Sequence, residues 1–269
     1  MLTFVVIFAL SIKTMARQFI FLFSFFFLFL SGVLAQEKGR METDRPDQTE
    51  SPFIVKKGYF QLESGFNKNY ISSEIEYFLP TTLIKLGLNK KFEFRYLSVL
   101  NASSQGIRFK NEAIGFKVFL FEEKGILPKT SLIAHYHLGD LKRDLADLNR
   151  IPHSVGDAVF TSQHQLSNTL SIGYNYGIEF HNDGKHEGIF RIAPGLTIGK
   201  NMYAYVETFG RFPLNKYEDI WVDGGLAYYI NDDFKLDVSA GRSIKKSRDY
   251  YLAVGFSYRF NVLGSFAAK

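Results

Sequence analysis

The chain has no cysteine among its 269 residues, so disulfides, thiolate metal centres, a cysteine nucleophile and a lipoprotein anchor are all excluded. It also lacks a strong charge bias, with 32 Lys and Arg against 27 Asp and Glu. Setting aside Lys13 and Arg17 near the N-terminus leaves 30 basic residues, and no nucleic-acid partner is expected. After residue 35 no run reaches the ~18 apolar residues of a membrane-spanning helix. No nucleotide loop or energy-coupling motif is present, and no cofactor is expected. What the chain has in quantity is aromatic side chains, 28 Phe and 15 Tyr.

The first 35 residues form a separate object. From Met15, Arg17 precedes an unbroken Phe/Leu run that ends in Val33-Leu34-Ala35 before Gln36. A positive flank, an apolar centre and a small-residue site are the parts of a secretory signal peptide. The expectation is a cleaved leader over residues 1–35, with Met15 as an alternative start. A membrane anchor is the competing reading, since residues 1–12 are apolar too.

Residues 36–57 are polar and without periodicity, and they include Pro46 and Pro52. From Gly58 onward, strand-like runs alternate with turn signals. Twelve strands are expected, at 58–67, 74–88, 91–100, 111–121, 129–138, 158–166, 169–180, 188–199, 201–211, 219–230, 233–242 and 250–260. Pro80 marks a bulge or a break in the second. In "LSIGYNYGIEF", Leu170, Ile172, Tyr174, Tyr176, Ile178 and Phe180 alternate with Ser171, Gly173, Asn175, Gly177 and Glu179. Strands 8, 10 and 12 sort the same way. A period of two gives each strand two unlike faces. A soluble barrel or sandwich would turn the apolar face inward. Lipid outside and a polar, glycine-containing interior suit these faces better.

Short connections ("NK", "SN", "K", "NDD") alternate with longer polar ones such as "NASSQGIRFK" and the long stretch from Gly139. Only "FEEKGILPKT" is longer than its place in the alternation predicts. Tight turns at one end and long loops at the other are the layout of an outer-membrane barrel. Lipid cannot satisfy free backbone groups, so the sheet should close. The fold class expected is therefore all-β, a transmembrane antiparallel β-barrel over 58–260 in the outer membrane of a Gram-negative bacterium. A tail follows at 261–269. Tyr59, Phe66, Tyr70, Phe180, Tyr203, Phe212 and Phe260 are candidates for interfacial girdles.

"ETDRPDQTESP" followed by "GYFQLESGF" resembles the opening of the bacterial outer-membrane family named for a MetA pathway of phenol degradation, whose members are often labelled "transporter". The resemblance continues through "LIKLGLNKKFEFRY", "HQLSNTLSIGYNYGIEF", "AYVETFG", "DGGLAYYINDDFKLDVSAG" and "VGFSYRF". It implies an outer-membrane barrel that passes small molecules, aromatic or hydrophobic ones among them, and it implies no enzyme. Outer-membrane lipid, the barrel-assembly machinery and a small-molecule solute are the partners expected. Such chains usually end at the terminal aromatic. Here "NVLGSFAAK" follows Phe260, which puts its role as assembly signal in question.

Alternation assigns charges to the lumen: Glu63, Lys85, Glu93, Arg95 and Lys117 on the first strands, then Glu179, Arg191 and Glu207, then Asp223, Lys235, Asp237 and Arg259. Both signs occur in similar numbers, so strong ion selectivity is not expected. An interior salt-bridge network would use the same residues. His135 and His137 share a face, and they read as lumen histidines bonded to neighbours in preference to a metal pair. His164, Ser167 and Asn168 are the only hydrolase-like grouping, and they sit in a tight turn. His181, Asp183 and His186 read as a solvated loop in preference to a cation site. Asp44, Arg45, Asp47 and Glu50 are either a partial plug in the barrel mouth or part of a disordered tail. The functional expectation is a passive channel for small molecules; a plugged, non-transporting envelope barrel is the alternative.

Overall fold

The computed structural model describes residues 39–103, 106–138, 154–213, 219–246 and 248–262. The expected leader, the end of the tail and most of the stretch from Gly139 lie outside these residues. Twelve strands are formed: β1 (Tyr59–Ile71), β2 (Glu74–Gly87), β3 (Phe92–Ser103), β4 (Gly106–Phe121), β5 (Lys129–His137), β6 (Ser154–Gln165), β7 (Leu170–His181), β8 (Glu187–Ile198), β9 (Met202–Pro213), β10 (Asp219–Asn231), β11 (Phe234–Ser243) and β12 (Tyr250–Asn261). Each pairs antiparallel with its sequence neighbours, and β1 pairs with β12 from Tyr59↔Asn261 to Tyr70↔Tyr250, closing the barrel. Closure removes both sheet edges, as a lipid environment requires.

The two faces separate cleanly. In β12, Leu252 and Val254 are about half exposed, whereas Ser257 is fully buried. Large apolar side chains such as Phe116, Tyr176, Leu196, Leu226 and Val238 cover the outside. The largest fully buried side chains include Arg95, Lys85, Lys117, Gln61, Glu63 and Glu93. This is the reverse of a soluble protein, in which such charges stay in water. The soluble alternative is thereby excluded on geometry.

Several strands outrun their expected ends. β1 continues to Ile71, and β4 begins at Gly106, so most of "NASSQGIRFK" is strand and not loop. β6 begins at Ser154, four residues early. In the β1 extension the charged Lys68 takes the outward position opposite Leu252, which breaks the apolar alternation there. Beyond the apolar band the alternation has no lipid to report on, and the sequence signal ends there. β1 and β2 are joined by Ser72 and Ser73 alone, both at positive φ (53° and 70°), the backbone of a two-residue hairpin turn. Pro80 does not split β2. The β2–β3 register slips between Phe78 and Thr81, so a bulge takes up the missing N–H donor.

Two of the girdle assignments are corrected. Tyr203 lines the interior beside Asp47, and Tyr59 lies under the Arg259 guanidinium, 5.3 Å from ring centroid to Cζ. Phe66, Phe180 and Phe260 do face outward.

Candidate functional site

Segment 39–57 has polar contacts with all twelve strands, which is possible only from inside the barrel. Going round the wall, its partners are Gln61 and Glu63 of β1, Lys85, Glu93 and Arg95, Lys117, then Ser131, Thr161, Asn175 and Arg191. Glu207, Tyr229, Asp237 and Arg259 complete the ring. Pro46 and Pro52 lack N–H donors, and the N–H groups of Asp44, Gln48, Glu50 and Val55 donate to side chains of the wall. Asn175 both accepts from Glu50 N (2.8 Å) and donates to Glu50 O (2.9 Å). Ser131 Oγ donates to Pro52 O at 2.6 Å, and Val55 N donates to Glu93 Oε2 at 2.8 Å.

The anchor of the segment is Asp44. Its Oδ2 accepts from Lys85 Nζ (3.0 Å) and Arg95 Nη1 (2.9 Å), and its Oδ1 from Lys117 Nζ (3.2 Å) and Ser51 N (2.8 Å). Burial alone would raise this carboxyl, but Lys117, Lys85 and Arg95 hold it well below the ordinary carboxylate range. Arg95 is shared further: Nη2 donates to Glu50 Oε1 at 2.9 Å and Nη1 to Glu93 Oε1 at 3.1 Å. Lys85 also pairs with Glu63. On β11 and β9 the signs reverse. Arg45 Nη2 meets Asp237 Oδ1 at 2.9 Å, and its guanidinium fills the space left by Gly65 and Gly255, where a Cβ would collide with it. Thr49 Oγ1 and Gln48 N both donate to Glu207. Burial, with the like charge of Glu207 added, pushes the Asp47 carboxyl well up against the opposing pull of Lys235.

Sequence alternation placed the fourteen lumen candidates; the tertiary structure sorts them into groups. Glu63, Lys85, Glu93, Arg95 and Lys117 gather around Asp44, while Glu207, Lys235 and Asp237 take the other side of the segment. Arg259 holds Gly39 O and Asp233. Arg191 reaches Asn175 at 3.3 Å, and Glu179 faces Arg211 Nε at 2.8 Å. Asp223 accepts from Tyr251 OH. His135 and His137 converge on Asp157, with Nδ1 and Nε2 at 3.1 and 3.2 Å. His135 Nε2 accepts from Arg95, so its proton sits on Nδ1, toward Asp157. Asp157 lies just outside the expected strand 158–166 but inside β6, which begins at Ser154. Its parity with Val159 and Thr161 is the signal that could have found it.

The hydrolase-like grouping serves its turn: Ser167 Oγ accepts from Thr169 N and Leu170 N, and His164 pairs with Glu123. In the β7–β8 loop, Asp183 accepts from Lys185 N and pairs with its ammonium. Glu179, His181 and Glu187 instead bring ligand atoms within 4.8 Å of one another, with Arg211 already supplying positive charge at Glu179.

A cavity of about 420 Å³ remains beside the segment. Its barrel wall is uncharged, made by Gln163, Gln165, Ser171, Gly173, Ala193, Thr197, Tyr203 and Tyr229 of β6–β10; its charges come from the segment itself, including Arg40, Glu42 and Asp47. Gly173 borders Thr49, and a Cβ there would lie 3.2 Å from Thr49 Cγ2, so segment and wall approach closely at that point.

A closed antiparallel barrel, apolar outside and ionic inside, defines a transmembrane β-barrel of the outer-membrane type. Residues 43–260 match the family described as "Putative MetA-pathway of phenol degradation", and the chain belongs to that family. Among solved structures it is similar to an outer membrane channel from Pseudomonas putida F1 (8% identity, TM-score 0.54, covering 85% of this chain and 100% of that one). The NanC porin (9%, 0.54, 74% and 98%) and the KdgM porin (13%, 0.51, 74% and 99%) share the fold. No curated protein sequence matches.

Proposed function

We propose that the protein is a passive channel for small molecules in the outer membrane of a Gram-negative bacterium, narrowed by its own N-terminal segment. One observation carries this reading: segment 39–57 crosses the lumen but leaves a cavity of about 420 Å³ on the uncharged β6–β10 side. Solutes move down their gradient along that side, past Thr49 and Gly173. The family and the named channels and porins of the same fold support the reading. Deleting Glu42–Ser51 is expected to raise single-channel conductance in planar bilayers and to change ion preference, because it removes charges of both signs from the lumen. Unchanged conductance in a folded barrel would overturn the narrowing role.

A second reading, a plugged barrel with a structural role, is favoured by the density of the Asp44 network. It predicts no conductance from the full chain and a large conductance after the deletion.

A further inference from the structure

The Asp44 network is odd in one respect. Lys85, Arg95 and Lys117 are fixed on the wall, yet the anion that satisfies all three belongs to a segment that the barrel does not need for its own backbone bonding. Glu63 and Glu93 are the fixed carboxylates beside these cations. On the wall itself three cations stand against two carboxylates, an excess of one positive charge that the segment meets with Asp44 and, at Arg95, with Glu50, which Arg191 shares. Removal of Asp44 would strand buried, uncompensated charge, so the segment cannot leave this cradle unless another anion enters. Protons do not serve as a release, because the three cations keep Asp44 ionised far into acid.

We propose that the cradle of Lys85, Arg95 and Lys117 is a binding site for the carboxylate of a small organic acid, and that Asp44 is its built-in competitor. A solute carboxylate takes the place of Asp44, and segment 39–57 loosens as it does so. Solute binding and widening of the lumen are then one exchange reaction. A singly charged, planar, two-oxygen group fits best. Lys85 and Arg95 approach one oxygen of Asp44, and Lys117 approaches the other at 3.2 Å. A dianion would exceed the one charge the cradle lacks. The proposal rests on the channel reading and names the solute class for it.

The test uses the full chain in detergent. Asp44→Ala removes the competing carboxylate from the cradle. Sodium acetate is expected to raise the unfolding midpoint of this variant saturably, by roughly 2–4 °C, relative to sodium chloride at equal ionic strength. No acetate-specific shift in a folded variant overturns the site. The chain has no cysteine, so a single spin label at Gln48→Cys, in a chain keeping Asp44, reports the segment directly. Acetate, and not chloride, is expected to mobilise it. An immobile label overturns the exchange, and it decides the matter alone if Asp44→Ala does not fold. Neither measurement involves conduction. A silent bilayer after the Glu42–Ser51 deletion would defeat the channel reading while leaving the cradle standing.

Discussion

At the scale of single residues, the lumen is governed by who neutralises whom. Arg95 touches Asp44, Glu50, Glu93 and His135 together. Replacing it with Met leaves several buried carboxylates uncompensated, at a cost of about 3–5 kcal/mol. Denaturant titration of the Arg95→Met barrel is expected to show the loss, whereas Lys129→Met, at a part-exposed pair with Glu122, should change little. The two aspartates of the segment respond to pH in a calculable direction. Asp44 is lowered, so its contribution is complete at neutral pH and is lost only when the pH falls through its depressed value. Asp47 is raised, so its ionised form is disfavoured in the docked segment and its contribution grows as the pH falls through the raised value. Acidification through the raised Asp47 value, while Asp44 stays ionised, should therefore hold the segment more tightly. A spin label at Gln48→Cys is expected to become less mobile on that acidification; increased mobility would contradict the assignment.

At the scale of elements, the strands work by alternation and the turns by backbone geometry. Val254 and Ile172 look outward from β12 and β7, and Ser257 and Gly173 look inward. Val254→Arg near the midplane should cost roughly 2–4 kcal/mol, while Ser257→Arg should act on conductance and on Lys235, its cross-strand partner. Folding titrations in lipid vesicles compare the two. The β1–β2 turn places two serines in a left-handed conformation. Replacing Ser72-Ser73 with Asn-Gly, which suits that turn, should stabilise the hairpin by about 1 kcal/mol. The Ser72 N–H to Asp249 bond (3.0 Å) is kept, since it comes from the backbone.

At the scale of the whole molecule, barrel and segment are complementary charge patterns. The β2–β4 wall is basic and receives Asp44 and Glu50; Asp237 on β11 receives Arg45. The barrel closes through backbone pairs that do not involve residues 39–51. The Glu42–Ser51 deletion should therefore leave β content and strand closure intact while changing the lumen. Circular dichroism beside bilayer conductance checks both halves of that statement.

The sequence by itself determined the barrel. Twelve strands, their outward and inward faces and the inward charges were legible because lipid and lumen impose a period of two, and each strand carries that period locally. The same logic failed where the membrane stops: at the extensions of β1, β4 and β6, and at Tyr59 and Tyr203, aromatic residues whose direction depends on parity and not on type. Only the tertiary structure decided that Asp44, and not Asp47, is the buried anchor. The two differ by three residues in an aperiodic segment, and nothing local distinguishes them. The difference comes from cations on β2, β3 and β4, brought to one point by a register that forms only when the barrel closes.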